Sequence, residues 1–190
     1  MGGRFRKLGE RVVYEGRLVT AVEATFEDPS GTTFERELVR HPGAVSVVPL
    51  DNDGRTVILL RQYRAAVDQE LLEIPAGKRD VEGEAPEVTA HRELVEEIGM
   101  RAGRLEKLAE FYNSPGFCDE HSVVYLATGL EATASSAQGV EEEHMTIERV
   151  ALDDVPSLVL SGELVDAKSI IGLALARESL ARRQRSGNGS

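Results

Sequence analysis

An α/β fold is predicted for this chain from three features. Residues 11–60 hold short runs rich in β-branched residues, broken by Gly, Pro, Asp and Asn. That is the pattern of strands joined by turns. Residues 86–99 open on Pro86, close on Gly99 and carry Val88, Leu94, Val95 and Ile98 as an apolar stripe. Pro suits a first helical turn and Gly a helix stop. Residues 166–183 supply a second helix, with Ile170, Ile171, Leu173, Ala174 and Leu180 apolar and a basic last turn that complements the helix dipole.

The 190 residues suffice for one domain, or one with a small extension. Formal net charge is −11, which argues against a general nucleic-acid or membrane-surface binder, since those need a basic footprint. A phosphate-bearing small molecule remains compatible, provided a cation offsets the charge. Cys118 is the sole cysteine, so no intrachain disulfide forms, and a reducing cytoplasm fits. No apolar run spans a bilayer, and the N-terminus has no signal-peptide pattern.

In chain order, 11–15 and 18–26 read as strands with Gly16 between them. Asp28-Pro29-Ser30-Gly31 is a turn, and 33–40 is the return strand. The apolar run 43–50 predicts a buried strand, and 51–54 (DNDG) a tight hairpin to a partner strand at 56–60. Arg61-Gln62-Tyr63-Arg64 follows, and its guanidinium forks match phosphate oxygens and stack on rings. Glu73 is an acid inside an apolar stretch, read as structural or substrate-facing. Buried, it needs a cation, for which Arg92 is the expected partner. Past the helix, 105–112 and 121–127 read as strands around a loop at 113–120. Residues 130–139 are small and polar, a loop closed by Glu141, Glu142 and Glu143. A strand at 145–152 and a short helix from Asp153 precede the C-terminal helix. His41, His91 and His144 have no companions at metal-ligand spacing.

The chemistry concentrates at 74–100. Glu93 and Glu97 stand four apart and share a helix face, with Glu96 bordering it. Like charges at this spacing repel, and a divalent cation turns that repulsion into binding. Oxygen donors without Cys or His favour Mg²⁺ or Mn²⁺ over zinc. A bare acidic triplet is more often a solvated face, but this one has company. Glu84, seven residues, then Arg92-Glu93-Leu94-Val95-Glu96-Glu97-Ile98-Gly99-Met100 resembles the Nudix box of the Nudix hydrolase superfamily. One departure exists: six residues, not five, separate Gly77 from Glu84, so Lys78 stands where the pattern has glycine.

The resemblance implies an α/β/α sandwich around a mixed sheet. A small N-terminal β unit (1–42) is expected before the hydrolase domain (43–185), with a disordered tail at 186–190. It implies Mg²⁺ held by Glu93, Glu96, Glu97 and the Ala76 carbonyl, with Glu97 also counted catalytic. A late-loop acid, Glu142 or Glu141, is implied as the base that activates water. RQYR and Ser114-Pro115-Gly116 resemble the ADP-ribose pyrophosphatase branch. That implies Arg61, Arg64, Glu73, Gly116 and Glu120 as substrate contacts, and hydrolysis of ADP-ribose to AMP and ribose 5-phosphate by a cytoplasmic homodimer. Other nucleoside diphosphate derivatives, or a non-catalytic nucleotide sensor, are the alternative readings.

Overall fold

The computed structural model describes residues 3–133 and 144–187. It divides into two compact units, Met1–Gly43 with Phe111–His121, and Ala44–Glu110 with Ser122–Ser190.

The first unit is an antiparallel meander of β1 (Arg6–Glu15), β2 (Thr20–Glu27) and β3 (Thr33–Arg40). The turn between β2 and β3 forms where Asp28 and Gly31 predict it. Asp28 Oδ1 accepts the N–H groups of Ser30 at 2.8 Å and Thr32 at 2.9 Å, and Gly31 takes φ +91°. Phe26 and Phe34 face each other in register, with rings stacked 5.5 Å apart. The loop 113–120 belongs to the same unit. Ser114 O accepts from the N–H groups of Phe117 and Cys118. Val39 N–H donates to Phe117 O at 2.7 Å, and Val39 O accepts from Asp119 N–H at 3.2 Å. The Ser-Pro-Gly turn is thereby tied to β3 as a short parallel bridge.

The second unit holds β4 (Ala44–Pro49), β5 (Thr56–Arg64), β6 (Gln69–Glu73), β7 (Ala76–Lys78) and α1 (Pro86–Ile98). The strands β8 (Met100–Tyr112) and β9 (His121–Ala132) follow, and only their facing ends enter the first unit. Then come β10 (Thr146–Ala151), α2 (Val155–Ser161) and α3 (Ala167–Gly187). One sheet runs β7-β4-β9-β8, with β4 parallel to β9 and antiparallel to β7. The other, β10-β5-β6, is antiparallel. The expected hairpin pairing of 43–50 with 56–60 is therefore corrected. The DNDG turn closes, with Asp51 N–H on Thr56 O at 2.8 Å. Beyond the single bridge Leu50–Val57, the two strands diverge into different sheets. Also, β9 runs through Leu130 to Ala132, where a loop was expected.

Strand alternation supplies two buried faces. Val45 and Val47 of β4 join Val123, Tyr125 and Ala127 of β9 in one core with Ala90, Leu94 and Ile98 of α1. Val48 and Val124, which alternate with these, lie 3.1 and 3.0 Å from where a Cβ on Gly172 of α3 would stand. The mixed sheet is thus covered by α1 on one side and α3 on the other. The apolar stripe of α1 differs from expectation at one residue. Val88 is exposed, and Ala90, a small residue that lets the helix approach the sheet, is fully buried in its place.

Candidate active site

Helix α1 begins at Pro86 and ends at Gly99, whose φ of +62° is the left-handed cap glycine adopts without strain. Between these stops, Glu93 and Glu96 are more than nine-tenths buried. They are turned toward protein although both are charged, and such burial needs compensation. Two elements close on this acidic face, and the second of them supplies the compensation.

The first is strand β7, paired to β4 so that Val45 stands opposite Gly77 and Ser46 opposite Ala76. The backbone N–H of Ala76 donates to Glu97 Oε2 at 2.9 Å. A Cβ on Gly77 would lie 1.9 Å from both Cδ and Oε1 of Glu93. Adjacent residues of one short strand therefore meet both acids of the i,i+4 pair. Gly77, not Lys78, makes the close approach. The extra residue before Glu84 is absorbed in an exposed turn, where Glu84 N–H reaches Val81 O at 3.1 Å and Gly83 takes φ +77°.

The second is Arg92. Its Nη1 lies 2.8 Å from Glu93 Oε1 and 3.0 Å from Glu96 Oε2, and Nη2 lies 3.6 Å from Glu84 Oε2. Glu84 Oε2 also accepts the Thr89 hydroxyl at 2.6 Å. Burial would lower the Arg92 pKa, but Glu93, Glu96 and Glu84 together raise it. Among the described residues no three His, Cys, Asp or Glu side chains converge as a ready-made metal cluster. Glu141 and Glu142 lie outside the described residues.

Arg92 is thus committed to the helix acids, and the expectation that it neutralises Glu73 is corrected. Glu73 is 1% exposed. It is gripped by Arg64, with Nε 2.7 Å from Oε1 and Nη2 2.6 Å from Oε2, and by the Lys168 ammonium on Oε2. Burial pushes the Glu73 carboxyl up, yet these two cations hold it below its ordinary value. Arg64 is raised in turn, chiefly by its hydrogen bonds to Glu73. Arg61 pairs instead with Glu148 at 2.6 Å and Glu163 at 3.0 Å.

Sequence reasoning missed Lys168 and Ser169. The second carried a signal: Asp166 three residues before Ser169 is a helix N-cap pattern. Asp166 Oδ2 does accept the Ser169 N–H at 3.0 Å. Lys168 carried none. Gly116 and Glu120 sit in the first unit. Gly116 lies in the turn closed on Ser114 O, and the half-buried Glu120 accepts Asn113 N–H through its backbone oxygen at 3.3 Å.

A mixed sheet between two helices, one of them acidic and seated on a glycine-bearing strand, defines an α/β/α sandwich of the Nudix type. The NUDIX domain model matches residues 40–171, and the chain belongs to that family. Its relatives include the ADP-ribose pyrophosphatase of Bacillus subtilis, 38% identical over 86% of this chain and 88% of that protein. The methanol dehydrogenase activator of Bacillus methanolicus is 37% identical over 85% and 86%. A solved structure described as an ADP compounds hydrolase superposes with TM-score 0.83 at 26% identity, covering 97% of this chain and 98% of that one.

Proposed function

We propose that the protein hydrolyses the diphosphate linkage of ADP-ribose to AMP and ribose 5-phosphate with the help of a divalent cation, Mg²⁺ first and Mn²⁺ as a substitute. The observation that carries this reading is the meeting of Glu93 and Glu97 at Gly77 and Ala76. The donors on offer are all oxygens, the chemistry a hard cation takes. Glu93, Glu96, Glu97 and the Ala76 carbonyl would hold it. When bound, such a cation neutralises the diphosphate and lowers the pKa of a coordinated water.

The chain's own residues position and deprotonate. Arg64 offers donors to phosphate oxygens, and Arg61, three residues earlier on β5, is the second candidate once released from Glu148 and Glu163. Glu142 or Glu141 accepts the proton as water attacks phosphorus and the bridging P–O bond breaks. No covalent intermediate is needed, so positioning and electrostatics supply the rate. Glu73 holds Arg64 in place.

Similarity to an ADP-ribose pyrophosphatase and to an ADP compounds hydrolase supports this substrate over other nucleoside diphosphate derivatives. We assign the protein to the cytoplasm. No helix among the described residues is long and apolar enough to cross a membrane. We also assign a homodimer built on the N-terminal sheet, where Val12, Val13 and Tyr14 of β1 are exposed.

A panel of ADP-ribose, GDP-sugars and dinucleotide polyphosphates, assayed with Mg²⁺ and with chelator, tests the reading. ADP-ribose should be cleaved and chelator should stop it. Turnover of GDP-sugars alone would replace the substrate, and turnover of none would remove the enzyme reading.

A further inference from the structure

The N-terminal turn of α3 reaches the β6–β7 segment at two points. Lys168 Nζ binds Glu73 Oε2, and it also lies 3.0 Å from Asp166 Oδ2. One residue on, the Ser169 hydroxyl oxygen accepts the N–H of Ile74 at 2.8 Å, and Ser169 is fully buried. Pro75 O accepts the N–H of Val47 at 2.8 Å, and Ala76 N–H holds Glu97. The segment Glu73–Ala76 is therefore anchored residue by residue between α3, β4 and the acidic helix.

Both oxygens of Glu73 are used in a fork on Arg64, and Lys168 adds a second cation to one of them. The three side chains differ in exposure: 2% for Glu73, 14% for Lys168 and 38% for Arg64. The buried members thus hold one cation whose side chain reaches solvent. After the hydrogen bonds and charge of Glu73, the Glu97 carboxylate also raises the Arg64 pKa. A buried ionic cluster is seldom the most stabilising choice, because apolar side chains of similar volume often do as well or better. Its geometry, with both carboxylate oxygens fixed, is suited to aiming a planar fork.

We propose that Lys168 is a positioning residue for diphosphate binding: by holding Glu73 from α3, it sets the direction in which Arg64 presents its guanidinium to the substrate's phosphates. The inference rests on the hydrolase reading above. Lys168 itself touches no reacting atom.

The test uses the full chain and compares wild type, Lys168→Met, Arg64→Lys and the double variant, reading KM, kcat and melting temperature on ADP-ribose or whichever diphosphate the panel shows to be cleaved. Lys168→Met should raise KM about tenfold with kcat changed less than about threefold, the signature of lost uniform binding. In the Arg64→Lys background the same change should cost no more than about twofold, because coupled residues are not additive. An equal loss in both backgrounds would mark a purely structural role and overturn the proposal, as would unchanged kinetics for Lys168→Met. If Lys168→Met does not fold, Lys168→Gln replaces it, and failure of both to fold would assign Lys168 to stability alone and overturn the proposal. A wild type that cleaves no member of the panel speaks against the hydrolase reading instead.

Discussion

The Glu93 carboxylate occupies the space that a side chain on Gly77 would fill, with Cδ 1.9 Å from the ideal Cβ position. Helix α1 and strand β7 can approach this closely only because residue 77 has no Cβ. Gly77→Ala must therefore displace Glu93 or the strand. Overpacking of this kind costs about 1–3 kcal/mol, and misplacing a reacting group by about 1 Å can cost about 10²-fold in rate. The expected outcome is a folded variant, lower in melting temperature, with hydrolysis reduced by about that factor.

Glu97→Gln separates chemistry from folding. A glutamine oxygen can still accept the Ala76 N–H, so stability should change by less than about 1 kcal/mol. Loss of the negative charge should abolish hydrolysis and weaken divalent-cation binding measured by calorimetry. Wild-type turnover in this variant would show that the helix acids carry no chemistry.

Glu73 makes stability depend on pH in a stated direction. Its pKa is depressed in the folded state from an ordinary value of 4.5, against the upward push of burial, by Arg64 and Lys168. A depressed carboxylate contributes stability above its unfolded pKa and loses it as pH falls through the folded one. Glu73→Gln removes the anion that Arg64 and Lys168 share and should cost about 3 kcal/mol near neutrality, the low end for a buried pair because Arg64 reaches solvent and Lys168 keeps Asp166. The difference in melting temperature between wild type and variant should shrink on acidification below the ordinary value. A constant difference across that range would count against the ion cluster.

Leu94 is fully buried between α1 and the mixed sheet. Leu94→Ala should destabilise by about 2–5 kcal/mol, the cost of lost burial plus a cavity. Denaturant melts would read this directly. Activity per folded molecule should fall less than in Gly77→Ala, since no carboxylate is forced aside.

Much of the local architecture was legible in the residues. The Asp28 turn, the Pro86 start and the Gly99 stop all depend on hydrogen bonds or dihedrals within a few positions, and each is found where it was read. Val88 shows the limit of reading apolar residues without their phase. It stands six positions before Leu94, about a third of a turn off the face of Leu94 and Ile98, while Ala90, four before Leu94 on that buried face, is too small to stand out in a hydrophobic pattern. A similar limit met Lys78. The box spacing assigned it the glycine position, and only the turn at Val81–Glu84 showed how the chain absorbs one more residue.

By itself, the amino-acid order determined the acidic helix, its end signals, the spacing of Glu93 and Glu97, and the family to which the chain belongs. These are matters of residues within a turn or two of one another, where geometry follows from backbone stereochemistry. Tertiary structure alone decided that β4 and β5 join different sheets. It also decided that Arg64 and Lys168 rather than Arg92 neutralise Glu73, and that Gly77 seats Glu93. The physical reason is separation along the chain. Lys168 lies 95 positions from Glu73, and which distant cation reaches a buried carboxylate depends on strand register and helix packing, which no local pattern encodes.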